Sequence, residues 1–278
     1  MSLKGKIQVV SQTDVGQVRD HNEDFISDNE RLGIVILADG MGGLNAGEVA
    51  SSMSTHLLMD ELTGYCNGSS LLEAEAHSRD DEELSLEAKV VQLAVEKANS
   101  AVFHVSQTQP QCRGMGTTIV ASLFYNNRVS VAHIGDSRMY RYRNERLEQI
   151  TKDHSFVQEL IDKGLYTKEE ARDSAKKNVV TRAMGVAPSV EVEVHEHEVE
   201  VGDVYLMCSD GLTDLVTDRD IERSFHELHI NLDVLARHLV SLANANGGKD
   251  NISIMLTRII KPYPTEGGLL DKIVNWFE

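Results

Sequence analysis

Aspartate stands at the end of one apolar run after another in this chain. Ile34-Val35-Ile36-Leu37-Ala38 leads into Asp39-Gly40, the segment VAHIGDSR delivers Asp136, VYLMCSDGLTD delivers Asp210 and Asp214, and GGKDNISIML sets Asp250 directly before an apolar stretch. GQVRDHNED adds Glu23 and Asp24, with Arg19 four residues before Glu23. A single Asp-Gly pair at a strand end is ordinary turn chemistry. Taken as a set, converging strand ends would crowd bare carboxylates into one cavity, and their repulsion would raise each pKa unless cations neutralised them. An all-oxygen donor set of Asp, Glu and a glycine carbonyl suits Mg²⁺ or Mn²⁺, whereas zinc prefers His and Cys. Gly40 fits that chemistry, because a residue without a side chain lets its backbone oxygen approach an ion.

The elements that must position these groups read as strands and helices in mixed order. Short β-branched or alternating runs at 7–10, 34–38, 118–124, 129–134, 138–142, 190–194, 204–208 and 252–258 predict strands. Apolar spacings of three and four predict helices near 46–62, 86–107, 155–163, 167–176, 218–227 and 231–246. Asn126-Asn127 marks a hairpin turn, and strands outnumber helices, so strict βαβ alternation does not fit. The fold class expected is α+β. Residues 63–85, with Gly64, Gly68, Ser69, Ser70 and the acidic run 80–83, read as a mobile surface insertion. After Pro262 and Pro264, Leu269, Leu270, Ile273, Val274 and Phe277 recur at helical spacing, so 262–278 reads as an amphipathic tail helix beyond a domain spanning 1–261.

Composition narrows the function classes. With 27 Lys and Arg against 44 Asp and Glu, the formal charge is −17, which opposes broad contact with a phosphate backbone, so no nucleic-acid partner is expected. No stretch reaches the roughly 18 apolar residues that span a bilayer, and a cytoplasmic monomer is expected. Cys66, Cys112 and Cys208 are an odd number at wide spacing without a CxxC, and read as reduced thiols. His195 and His197 in VEVHEHEVE share a strand face, which reads as solvated. Thr117 and Thr118 lack a triad-like partner and read as strand-packing residues.

The segments GQVRDHNED, LADGMGG, GMGTT, HIGDSRMYRY, TKDHS, TRAMG, CSDGLTD and GGKDNIS follow one another as in the bacterial type 2C metal-dependent Ser/Thr protein phosphatases, the PPM family, and the chain resembles that family over about residues 5–260. The resemblance implies two packed, mainly antiparallel β-sheets flanked by α-helices on both outer faces, with a two-ion Mn²⁺ or Mg²⁺ site at one end. It implies that Asp39 bridges the ions, Gly40 offers its carbonyl, Asp210 and Asp250 hold one ion, and Glu23 reaches the other directly or through water. Asp24 orients the water network, Asp136 and Asp214 bind a third ion where one is present, and Arg19 holds the phosphoryl group with its fork of donors.

Animal members carry a histidine after the Asp-Gly pair that has been proposed as the general acid. Met41 stands there in this chain and has no proton to give. A metal-bound water or His154 is left for that role, with a capping or orienting role for His154 as the alternative. Residues 155–181 match the family's flap beside the active site, and Arg182 reads as a structural donor. The implied activity is hydrolysis of phosphoserine and phosphothreonine on proteins, opposing a cognate Ser/Thr kinase. Two alternatives stay open: a non-catalytic phosphoprotein-binding sensor or scaffold on the same fold, and action on a small phosphoester.

Overall fold

The computed structural model describes residues 2–42, 46–77, 83–167, 170, 174, 176 and 178–264. Among the described residues there are eleven strands: β1 (Ile7–Asp14), β2 (Asp24–Asn29), β3 (Ile34–Met41), β4 (Gly116–Thr117), β5 (Ile119–Tyr125), β6 (Arg128–Ile134), β7 (Arg138–Arg143), β8 (Arg146–Gln149), β9 (Glu193–Glu198), β10 (Val204–Cys208) and β11 (Ile252–Ile259). They form one sheet in the order β1-β11-β10-β7-β8 and a second in the order β2-β3-β5-β6-β9, with β4 on β3. Every strand pairing among the described residues is antiparallel.

The two-residue period of each central strand divides its side chains between two cores. On β3, Val35 and Leu37 turn inward to meet Tyr205, Met207 and Met255 of the other sheet, while Ile34, Ile36 and Ala38 face outward. The outward set packs under helices Ala46–Cys66 and Leu86–Thr108. On β10 the parity repeats: Val204, Leu206 and Cys208 pack under helices Asp218–Leu228 and Leu232–Ala245. The result is the expected layering of helix, sheet, sheet and helix. Near-continuous apolar runs in β5 and β10 follow from burial on both faces.

Three features differ from the sequence reading. β2 and β8 have no counterpart in it: both are edge strands with few apolar residues, DFISDN and RLEQ, so their alternation is faint. β9 begins at Glu193, not 190, because its pairing with β6 starts there, Glu193 opposite His133 and His195 opposite Val131. Within 63–85, helix Leu72–His77 tucks Leu72 and Ala76 into the outer core of the second sheet, beside helices Ala46–Cys66 and Leu86–Thr108, so this helix is anchored by an i, i+4 pair. The expected helix over 167–176 lies largely, and the tail helix in 262–278 mostly, outside the described residues. No helix among the described residues is long and apolar enough to cross a membrane.

Candidate active site

Antiparallel register brings the aspartates to one end of the sandwich. Asp24 and Asp39 are direct cross-strand partners on β2 and β3, and Gly40 pairs with Thr117 of β4. In the other sheet Cys208 lies opposite both Ile254 and Arg138. Asp210, just after β10, Asp250, just before β11, and Asp136, just before β7, therefore share that end. The Gly135–Ser137 turn also carries the chain from the second sheet into the first. Asp214 closes the short helix Asp210–Thr213, its N–H donating to the Asp210 carbonyl at 2.8 Å.

Crowding is written into the proton affinities. Burial, followed by the charges of Asp24, Asp210, Asp136 and Asp250, pushes Asp39 well above the usual carboxylate range. Burial does the same to Asp210, joined by Asp136, Asp214, Asp250 and Asp24. Asp136 is pushed up to about 7, by burial first and then by Asp153. Asp24 is pushed up to about 6 by burial, against hydrogen bonds from Ser253 and Ser209. One group of carboxylates drawn from both sheets thus lies within mutual electrostatic reach.

The surrounding bonds hold these groups from behind. Ser209 Oγ donates to Asp24 Oδ2 at 2.8 Å, the Asp39 N–H donates to Thr118 Oγ1 at 3.1 Å, and Thr118 shares a 2.7 Å hydrogen bond with Ser137. Glu23 is fixed through its backbone: its N–H donates to Asn251 Oδ1 at 2.8 Å and its carbonyl accepts from Ser51 Oγ at 2.6 Å. Gly40 is required where it stands, since a Cβ there would lie 2.3 Å from the Gly47 carbonyl oxygen and 2.6 Å from that of Glu23. Arg19, half-exposed, donates from Nη2 to Asp250 Oδ2 at 2.6 Å.

The donor set fits a hard divalent cation. It is all oxygen, and Glu23 Oε1 and Asp24 Oδ1 are buried without a hydrogen-bond partner, as oxygens facing an ion would be. A second cluster, His133, His154 and Glu193, has ligand atoms within 4.8 Å of one another. His154 does not suit an ion there. The Gly135 N–H donates to its Nδ1 at 3.1 Å, so Nε2 carries the proton and donates to Glu193 Oε2 at 3.1 Å, with Arg182 Nη1 also 3.1 Å away.

His154 is thus engaged at both ring nitrogens, stacked on His133 at 4.7 Å between centroids, and its pKa is lowered by burial. Its backbone joins the same turn: its N–H donates to the Gly135 carbonyl and its carbonyl accepts the Thr181 N–H, each at 2.8 Å. Next to it, a Ser155–Val180 bridge closes the foot of the 155–181 segment. The sequence reading did not single out Asn251, Ser209 or Ser137 as supports, nor His21, whose Nε2 lies 3.8 Å from Glu23 Oε1. For Asn251 the signal was its place directly after Asp250.

Comparison with known proteins decides the family. The protein phosphatase 2C family model matches residues 11–241. The chain belongs to the protein phosphatase 2C family. It is 37% identical over 251 residues to the serine/threonine phosphatase stp of Listeria monocytogenes serotype 4b (strain F2365), covering 88% of this chain and 93% of that one. The Mycobacterium tuberculosis serine/threonine phosphatase PstP/Ppp superposes with a TM-score of 0.78 at 37% identity, over 91% of this chain and 99% of that one. The catalytic domain of PstP in complex with two manganese ions superposes with a TM-score of 0.77 at 36% identity, over 92% and 99%. The sandwich end bearing Asp39, Asp210 and Asp250 is the candidate active site.

Proposed function

We propose that this chain is a metal-dependent protein phosphatase that hydrolyses phosphoserine and phosphothreonine on proteins, with two Mn²⁺ or Mg²⁺ ions as cofactor. The observation that carries the reading is the convergence of Asp39, Asp210, Asp136, Asp24 and Asp250 on one end of the sandwich, each raising the proton affinity of others. Asp39, the Gly40 carbonyl, Asp210 and Asp250 would hold the ions, with Glu23 beside them. Asp136 and Asp214 are the residues for a third. When bound, such ions lower the pKa of a shared water and neutralise phosphoryl oxygens.

The chain's own part is positioning. Arg19 presents parallel N–H donors to two nonbridging phosphoryl oxygens and orients the group for in-line attack. Its 2.6 Å bond to Asp250 ties that fork to the ion-binding carboxylates. Asp24, anchored by Ser209, keeps its second oxygen for the water that must be oriented. Met41 brings no proton to the leaving oxygen, and His154 is occupied by Gly135 and Glu193. A cognate Ser/Thr kinase as the opposing enzyme, a monomeric state and a cytoplasmic location complete the proposal.

Phosphate release from a phosphothreonine peptide by metal-stripped protein tests this reading. Turnover should appear with Mn²⁺ or Mg²⁺, vanish with excess chelator, and be lost in Asp210→Ala and Asp39→Asn proteins that remain folded. Release without metal, or retained in either variant, would refute the assignment. A folded wild-type protein silent under every metal would favour a phosphoprotein-binding role.

A further inference from the structure

Arg19 lies on the segment between β1 and β2, and that segment has little core to hold it: Val18 is 65% exposed and the Arg19 side chain 48% exposed. Ordering such a segment costs conformational entropy that local contacts must offset. One buried side chain supplies three of them. Asn251, 5% exposed, accepts the Glu23 N–H at 2.8 Å through Oδ1 and donates from Nδ2 to the Val15 and His21 carbonyls at 3.0 Å each. Both amide N–H groups and the carbonyl oxygen are used, and the three bonds fall on both sides of Arg19.

The backbone adds a second seam. Gln17 N–H donates to the Gly248 carbonyl at 2.7 Å. Gly16, at φ +82°, lies so close to the Asp250 loop that a Cβ would sit 2.2 Å from the Asp250 carbonyl oxygen and 2.8 Å from that of Gly248. Through these contacts the arginine segment and the Asp250 loop form one mechanical unit. Neither serine, which is too short, nor aspartate, which cannot donate, could reproduce what Asn251 does.

We propose that Asn251 is a positioning residue for phosphate recognition: it docks the Arg19 segment onto the Asp250 loop, so that the guanidinium is held in register with the ion-binding carboxylates. This rests on the phosphatase reading and assigns a further residue to it. Because Arg19 would grip the phosphoryl group in the bound substrate and in the transition state alike, losing its position should raise KM far more than it lowers kcat.

Asn251→Asp keeps the acceptor for Glu23 N–H but sets a carboxylate oxygen against two carbonyls. Gly16→Ala disturbs the same docking from the other partner. Each should raise KM for a phosphothreonine peptide, and weaken inhibition by inorganic phosphate, by about tenfold, as the loss of one or two hydrogen bonds would. In an Arg19→Gln background the Asn251→Asp change should add little, since both act through one contact. In metal-free Asn251→Asp protein, amide exchange at Gln17 should quicken, which reads the docking without activity. Equal fold-losses with and without Arg19, a fall in kcat at constant KM, or unchanged exchange at Gln17 would each overturn the proposal. A wild-type protein that binds phosphate by calorimetry but never turns over would sink the phosphatase reading alone. Phosphate affinity in Asn251→Asp would then decide this one, with an unchanged value overturning it.

Discussion

Among single residues, Arg19 and His154 show how geometry separates roles that sequence leaves together. The planar fork of Arg19 matches two phosphoryl oxygens, and a lysine ammonium does not. Arg19→Lys should therefore lose about tenfold or more in kcat/KM on a phosphopeptide despite keeping the charge. A variant within twofold of wild type would make Arg19 a plain charge donor. For His154, a general acid matters when the leaving group is a poor one, as a threonine alkoxide is, and matters little for p-nitrophenolate. With both ring nitrogens bonded to Gly135 and Glu193, His154 has no proton aimed at a leaving group. His154→Ala should accordingly slow p-nitrophenyl phosphate and phosphothreonine peptide by similar factors. A loss confined to the phosphopeptide would restore His154 as the acid.

The elements behave as the carriers of these residues, and β7 does so through Arg138. Its Nε donates to Asp153 Oδ1 at 2.8 Å, its Nη2 to Asp153 Oδ2 at 2.7 Å, and its Nη1 to Tyr140 Oη at 2.9 Å, which passes the chain on to Asp218. This fork pins the loop before His154 to the strand that follows Asp136. Asp153 is nearly buried, so Arg138→Ala would strand a carboxylate and should cost about 3 kcal/mol in urea unfolding. A loss below about 0.5 kcal/mol would mean the pair behaves like an exposed one. The sequence made much of this level legible, because strands buried on both faces, such as VYLMC in β10, are continuous in their apolar character. Two of the edge strands were opaque: DFISDN and RLEQ are defined by the neighbour they pair with, not by their own pattern. The aspartates were legible as strand-end residues, but their common location follows only from antiparallel register. Asn251 was unreadable as a support because its three partners lie 228 to 236 residues away in the chain.

The whole molecule keeps its carboxylates together at a cost that pH and metal should expose. In the unfolded chain an aspartate titrates near 4. In the fold Asp24 is raised to about 6 and Asp136 to about 7, with Asp39 and Asp210 raised as well. The metal-free fold therefore binds more protons than the unfolded chain between about pH 4 and 7, so its stability falls as pH rises through that window. His133 acts in the opposite sense. Burial lowers it to about 4, so the fold binds fewer protons there than the unfolded chain below about pH 6.5, and stability falls as pH drops toward 4. Burial also lowers His154 and His197, but the four raised carboxylates, crowded together, outweigh these three imidazoles. Metal-free protein should thus melt about 5 °C or more higher at pH 5.5 than at pH 8, while Mn²⁺ at 100 times its dissociation constant should add about 2.7 kcal/mol at pH 8 and flatten the profile. Binding should release protons, measurable by calorimetry in buffers of different ionisation enthalpy, because a carboxylate must lose its proton to ligate an ion. A metal-free melting temperature that climbed steadily from pH 5.5 to pH 8 would mean that the aspartates are not crowded in solution, and the case for a shared ion site would fall with it.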